Sequence, residues 1–423
     1  MGTGRKFIAA ISAVLIITGM CGCADTKDRS DNEESSDGKV SVIQEKENYA
    51  EECERIRSKE YTNMSFEGCV FEEFPDIESF QNLKPGEPTV TVEMAYDAME
   101  KSLDEYGLAD KYPVEEHVVS LHDQDSDCEW IPVKDLLDET DPDTGEKRLK
   151  YADAFAVLEK EMCLMMVDDG YFKWINDTLG SYLPEPMNAE LSVLVADEYY
   201  PEEEKYRYEG IDDTSHILLD GTEMTVSEAS DMAVKFVTDG VPYPVSDGVR
   251  ILPESVAFHG NGENGYYEVC VERSYNDIPF VQTNGQGEVT WDGSADYWFD
   301  EDMFSIYIAD GSGVCGYMGA RASEKFDAAG DVQETMVSLE DAADIVEREM
   351  AQRFNMEFQR AGLRYIRIIQ PYSKAKQYTY TEKDGEYRVC WMFKGTNSNY
   401  KSYETVLVDA ETGKLYFELT EWE

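Results

Sequence analysis

The sequence predicts an α+β protein built of repeated units, each a single helix packed on a small antiparallel sheet. Three observations predict it. Amphipathic, Ala-containing segments opened by Ser or Thr recur at Thr91, Thr225 and Ser338. Behind the second and third lie alternating strands with a shared Tyr-x-Val-Cys, Tyr267-Glu-Val269-Cys270-Val271 and Tyr387-Arg-Val389-Cys390-Trp391. Further on, Ile306-Tyr-Ile308-Ala-Asp310-Gly-Ser-Gly313 parallels Val406-Leu-Val408-Asp409-Ala-Glu-Thr-Gly413, apolar strands running into turns that a glycine closes.

In chain order the first element is an export signal. Arg5 and Lys6 precede an apolar run from Phe7 to Ile17, too short to cross a bilayer as a permanent helix, which ends in Gly19-Met20-Cys21-Gly22-Cys23. The Met20-Cys21-Gly22-Cys23 tetrad resembles a bacterial lipobox. That resemblance implies cleavage after Gly22 and lipidation of Cys23, with Cys21 the alternative anchor, disfavoured by the bulky Met20 before it. Residues 1–22 are thus read as a lipoprotein signal peptide, and the location as the extracytoplasmic face of the cell membrane, lipid-anchored. Ala24 to Lys39 is built of Asp, Ser, Glu and Asn without apolar periodicity, so residues 23–48 read as an acidic flexible tether.

Residues 49–215 form an N-terminal α+β region. Val40 to Tyr61, charged with sparse apolar spacing, reads as a helix that crosses its boundary, and Pro85-Gly86-Glu87-Pro88 is a break. The helix opened at Thr91 carries Ala95, Ala98, Met99 and Leu103, and Asp141-Pro-Asp-Thr-Gly145 has turn chemistry. The first clear unit is residues 216–325: Ala229, Met232, Ala233, Phe236 and Val237 recur at helical spacing, and Thr225 with Glu228 forms a capping box. Residues 326–423 form the second, with Leu339, Ala342, Val346, Met350 and Phe354 behind Ser338 and Asp341. Leu415, Phe417 and Leu419 alternate out of its last turn.

A Ser/Thr-led helix, a Tyr-x-Val strand and the closing run Val408-Asp409-Ala-Glu-Thr-Gly413-Lys-Leu415 resemble PepSY-type repeats, over residues 225–320 and 338–419 with a trace in 89–195. The chain is similar to an uncharacterised family of Gram-positive exported lipoproteins with PepSY-like repeats. The resemblance implies a binding or peptidase-modulating module without a catalytic set.

A formal charge of −52 repels nucleic acid, anionic headgroups and polyanionic wall polymers, and favours cationic peptides, divalent ions or plain solubility. The membrane is therefore reached through lipidated Cys23, and a cationic peptide or exported protein is the expected partner. The mature cysteines 53, 69, 128, 163, 270, 315 and 390 are an odd, scattered set, not a disulfide framework, with Cys53 and Cys69 the pair near enough to watch. No CxxC pair occurs among them, which argues against structural zinc.

His122-Asp123-Gln-Asp125-Ser-Asp127-Cys-Glu129 offers carboxylates at alternate positions, the hard ligands calcium prefers. Cys128 and Lys134 stand where an EF-hand needs Gly and Glu, so Asp123, Asp125, Asp127 and Glu129 are candidate ligands of a different Ca2+ site or a solvated acidic loop. No other cofactor is expected. Gly260-Asn-Gly262-Glu-Asn-Gly265 spells GxGxxG but leads into a strand, so it reads as a hairpin loop and not a nucleotide site. His117, His122, His216 and His259 accompany no nucleophile motif. Tyr199, Tyr200, Trp291, Tyr297, Trp298, Tyr378, Tyr380 and Trp391 suit either a core or a sugar- or peptide-lined groove.

The sequence therefore points to a non-catalytic binding or regulatory module, peptide or peptidase directed. One rival is the solute-binding lipoprotein of a transporter, which would show βαβ alternation. The other is a carboxylate-dependent hydrolase at the cell surface, which would show a convergent acid pair in a cleft.

Overall fold

The computed structural model describes residues 39–86, 117–121, 129–136, 140, 152–157, 163–166, 172–175, 202–207, 214–239, 245–260, 263–281, 285–286, 294–300, 304–311, 313–319, 325–370, 372–373, 385–398 and 402–417. All lie in one compact unit, Gly38–Glu423. The helices among the described residues are α1 (Val42–Ser58), α2 (Val133–Leu136), α3 (Val226–Thr238) and α4 (Leu339–Met350). The strands used below are β1 (Val70–Phe71), β2 (Phe80–Pro85), β3 (Val249–Gly260), β4 (Gly265–Tyr275), β5 (Trp298–Asp300), β6 (Phe304–Ile308), β7 (Phe326–Gln333), β8 (Met356–Ile369), β9 (Glu386–Asn397), β10 (Ser402–Asp409) and β11 (Leu415–Phe417).

The local signals mark the helix starts. Thr225 caps α3 through a complete capping box, its hydroxyl accepting from the Glu228 amide at 3.1 Å while Glu228 accepts from the Thr225 amide at 2.9 Å. Ser338 caps α4 by accepting from the Asp341 amide at 3.1 Å. The next two free amides of α4 are taken by α1: Glu45 accepts from Leu339 N–H at 2.8 Å, and Glu52 from Glu340 N–H at 3.1 Å. The N-terminal amides of α4 thus find partners, two of them from a helix almost 300 positions upstream. Thr225→Ala or Ser338→Ala is expected to lower stability by about 1 kcal/mol each; a midpoint unchanged in urea titration would contradict the caps.

The expectation of α+β repeats, one helix on a small antiparallel sheet, is overturned. The chain is mostly β, with 52% of described residues in strands and 22% in four helices, and it does not divide into helix-on-sheet units. One sheet of seven strands has the order 202–207, β3, β4, β6, 316–319, 172–175, with Ile278–Pro279 paired to β4. The other, of ten, has the order 285–286, β5, β8, β9, β10, β11, with β1, Met64–Ser65, β2 and β7 attached alongside. The physical reason is sheet completion. Strands as long as the 14 residues of β8 and the 12 of β9 expose edges and faces that one helix cannot cover. The chain covers them with β1 and β2 from far upstream, and with 172–175 and 202–207 around the first sheet. A further sheet joins 117–121 with 129–132, 152–157 and 163–166.

Packing follows the same non-local pattern. α3 lies on β3, β4 and β6, whereas α4 lies on β10 and β11 and beside α1. The main core joins Val42, Tyr49 and Ile56 of α1 and Leu339, Ala342, Val346 and Met350 of α4 to Leu363, Val389, Trp391, Val406 and Val408. Trp391 is fully buried, and its Nε1 donates to Val337 O at 2.8 Å. A second cluster, Tyr297, Phe299, Ile366, Ile368, Met392, Leu407 and Tyr416, fills the opposite face. There the sheet curls strongly. Flat spacing would hold β5 and β11 about 19 Å apart, yet the Phe299 and Tyr416 rings lie 6.3 Å apart. Tyr297 closes the curl, its hydroxyl donating to Phe417 O at 3.0 Å and accepting from Phe417 N–H at 2.9 Å.

Candidate functional site

Cys23, Asp123, Asp125 and Asp127 lie outside the described residues. Glu129 begins the strand Glu129–Pro132, paired with Leu121. Among the described residues, no group of three His, Cys, Asp or Glu is placed to hold a metal ion, and no helix is long and apolar enough to cross a membrane. Gly260 and Gly265 of the GxGxxG run pair across the β3–β4 hairpin, and Gly262 lies outside the described residues. Cys53 and Cys69 are both buried and are not joined by a disulfide. Tyr297 and Trp391 are core residues, not groove walls.

The most concentrated chemistry is a buried ion network where the two sheets meet. Arg360 and Arg364 project from the same face of β8, and Gly362 lies between them. A Cβ on Gly362 would come 2.2 Å from a Glu72 carboxylate oxygen, so only glycine lets Glu72 cross the strand and reach both guanidinium groups. Arg364 holds Glu72 by two bonds of 2.8 and 2.7 Å, and also bonds Glu272 of β4 and, at 3.3 Å, Phe280 O. Arg360 bonds Glu72 and Glu254, the residue at the β3 bulge between Pro253 and Ser255.

Three carboxylates thus face two guanidinium groups, with the Lys394 ammonium adding to the field at Glu254. The charges distribute accordingly. Burial opposes ionisation of Glu72, but Arg364 and Arg360 outweigh it and hold its carboxyl below the usual range; Arg360 does the same for Glu254. Glu272 is pushed up to about 7, chiefly by burial and further by Glu72, against Arg364. Each member is tied to another, so the network fastens the two sheets.

A second polar group lies on the face of β4 that carries its even-numbered residues. His259 Nε2 meets Glu268 at 2.9 Å, and the Tyr307 hydroxyl donates to the same carboxylate at 3.2 Å. The His259 ring stacks on Tyr266 at 4.9 Å. Cys270, one pair along, lies 3.7 Å from the Ser305 hydroxyl, and burial pushes its thiol up to about 12. That is a base with an orienting acid beside an unreactive thiol, not a nucleophile pair. The signal for it was the hairpin itself: reading Gly260–Gly265 as a turn puts His259 opposite Tyr266 and diagonal to Glu268.

The Val-Asp-x-x-Thr-Gly run has a structural role. Asp409 accepts from the Glu411 and Thr412 amides at 2.9 and 2.8 Å and from Arg388 at 2.5 Å, while its carbonyl accepts from Gly413 N–H. Gly413 takes φ +72°, so the motif builds the turn into β11.

That turn forms one wall of an open cleft of about 400 Å³. The flank of α4 and the residues just after it supply Ile345, Arg348, Glu349, Met350 and Arg353, and the turn and β11 supply Gly413, Lys414, Leu415 and Phe417. Three cations and one carboxylate therefore line a depression in a chain of charge −52. Arg353 stands over the Phe417 ring at 5.8 Å and Lys414 over Tyr416 at 4.6 Å.

Compared with known proteins, the chain matches no family profile and no curated protein. It is similar to a solved structure of an uncharacterized protein from Eubacterium rectale ATCC 33656, determined at 1.45 Å. The two share 12% identity with a TM-score of 0.44, over 87% of this chain and 98% of the other.

Proposed function

We propose that this chain is a lipid-anchored lipoprotein of the extracytoplasmic membrane face, acting as a non-catalytic binding or regulatory module for an exported peptide or protein, in the manner its PepSY-like motifs imply. The observation that carries the reading is the contrast between its two kinds of polar site. The buried glutamates, arginines and His259 are held by one another inside the sheets, whereas the cleft beside β11 is concave, solvent-open and lined by side chains suited to contact rather than turnover. The anchor rests on Cys23 at the end of the signal-like segment.

Two measurements test it. Cys23→Ala should shift the protein from the membrane fraction to the medium or leave it unprocessed, and the native chain should carry a diacylglyceryl mass on its first tryptic peptide. Unchanged, lipid-modified membrane partition of the variant would remove Cys23 as the anchor. A hydrolase activity lost on a single Glu or Asp substitution would replace the binding module with an enzyme.

A further inference from the structure

We propose that the cleft at β11 docks a short, extended, acidic peptide segment by strand addition to the edge of the ten-stranded sheet. This deepens the binding-module reading and rests on it. The first support is the edge. β11 is the last strand of its sheet and pairs only with β10 among the described residues. Asp409 N–H bonds Lys414 O across the turn, so the Lys414 and Tyr416 backbone groups face β10, and those of Leu415 and Phe417 face outward. Tyr297 occupies the Phe417 pair. Among the described residues, the Leu415 N–H and C=O remain as the edge's donor–acceptor pair, and Leu415 lines the cleft.

The second support is the distribution of charge about that edge. Side chains alternate along β11: Leu415 and Phe417 pack toward the α4 side, and Tyr416 toward the opposite cluster. Arg348 and Arg353 stand on the α4 side, while Lys414 lies over Tyr416 on the other. An added strand would therefore meet cations on both of its faces, and Ile345, Met350, Leu415 and Phe417 supply apolar contact beside them. The one donor–acceptor pair at Leu415 would fix the segment's register beside Tyr297, and carboxylates against guanidinium and ammonium would give selectivity. The overall charge limits the ligand's size. Beyond about 8 Å the field is screened at physiological salt, so a few carboxylates feel the cleft, but a long polyanion would also meet the acidic surface around it.

The test uses the full chain and three fluorescein-labelled hexapeptides that alternate Leu and Val with Glu, Gln or Lys, followed by anisotropy at 150 mM salt. The Glu peptide should bind at least tenfold tighter than the Gln peptide and tighter still than the Lys peptide. Arg348→Gln combined with Lys414→Gln, both exposed, should abolish that preference without moving the melting temperature. Amide exchange at Leu415 should slow when the Glu peptide is bound. Equal or tighter binding of the Lys peptide, no effect of the double variant, or unchanged Leu415 exchange would each overturn the site. If peptides bind without regard to charge and to these substitutions, the cleft assignment fails while the binding-module reading stands. If no peptide binds, both fall. Binding to phosphatidylglycerol vesicles that the double variant loses would reassign the cations to lipid and overturn the peptide proposal.

Discussion

Replacing Arg364 by Met will cost the fold about 3–5 kcal/mol, the loss characteristic of removing one partner from a buried ion pair. Arg364 is only 4% exposed and makes bonds to Glu72, Glu272 and the Phe280 carbonyl. Met fills most of the space of the stem but leaves Glu72, Glu254 and Glu272 with Arg360 as the network's one guanidinium group. Urea unfolding monitored at the buried Trp391 measures the change. Adding Glu272→Gln to Arg364→Met should recover part of the loss, because it removes the buried carboxyl that Arg364 had bonded. Arg348→Gln, which breaks only the exposed pair with Glu349, should cost less than about 1 kcal/mol. A loss below 1 kcal/mol for Arg364→Met would show that the network does not fasten the sheets.

What the sequence made legible was local. The caps at Thr225 and Ser338, the hairpin at Gly260–Gly265 and the turn at Asp409–Gly413 each depend on residues within a few positions, and their side-chain chemistry dictates the geometry. Sheet membership was not legible. Val70, Phe71 and Leu83 carry no sign that they will pair with β7, β8 and β9, because strand partnership is set by which long edges need covering. The same limit hid the candidate sites. Glu72 meets Arg364 across 292 positions and Glu45 meets α4 across 294, distances over which a single chain shows no pattern. The aromatic residues illustrate the ambiguity from the other side: Trp391 at strand spacing suits a groove or a core, and only the α1–α4 layer over β9 decides for the core. The cleft is legible once β11 is known to be an edge, since Arg348, Arg353 and Lys414 then fall around one strand.

Stability is expected to be greatest near pH 5 and to fall as the pH rises toward 8, the reverse of a protein held only by salt bridges. The cause is the raised carboxyls Glu45, Glu52 and Glu272, of which burial lifts Glu45 and Glu272 furthest. Glu45, fully buried, is pushed up to about 8, first by burial and then by the neighbouring Glu52, against the Leu339 amide it accepts from. Glu272 is pushed up to about 7 by burial. In the unfolded chain both titrate near the ordinary value of 4.5. Between 4.5 and those folded values, the native state holds protons that the unfolded state has released, so raising the pH favours unfolding. Each group contributes a slope of at most about 1.4 kcal/mol per pH unit. Below the ordinary range the sign reverses: Glu72 and Glu254 are held low by Arg364 and Arg360, and Glu268 by its hydrogen bond from His259, all against their burial, so protonating them costs the native state those contacts. Glu45→Gln and Glu272→Gln keep the shape and hydrogen bonding of the protonated forms, and should make the variants relatively more stable than the native chain at pH 8 than at pH 5. Melting curves at half-unit intervals from pH 4 to pH 8.5 decide it. A native profile that rises across pH 5 to 8, or Gln variants that keep the native slope, would show that Glu45 and Glu272 are ionised in the fold throughout that range.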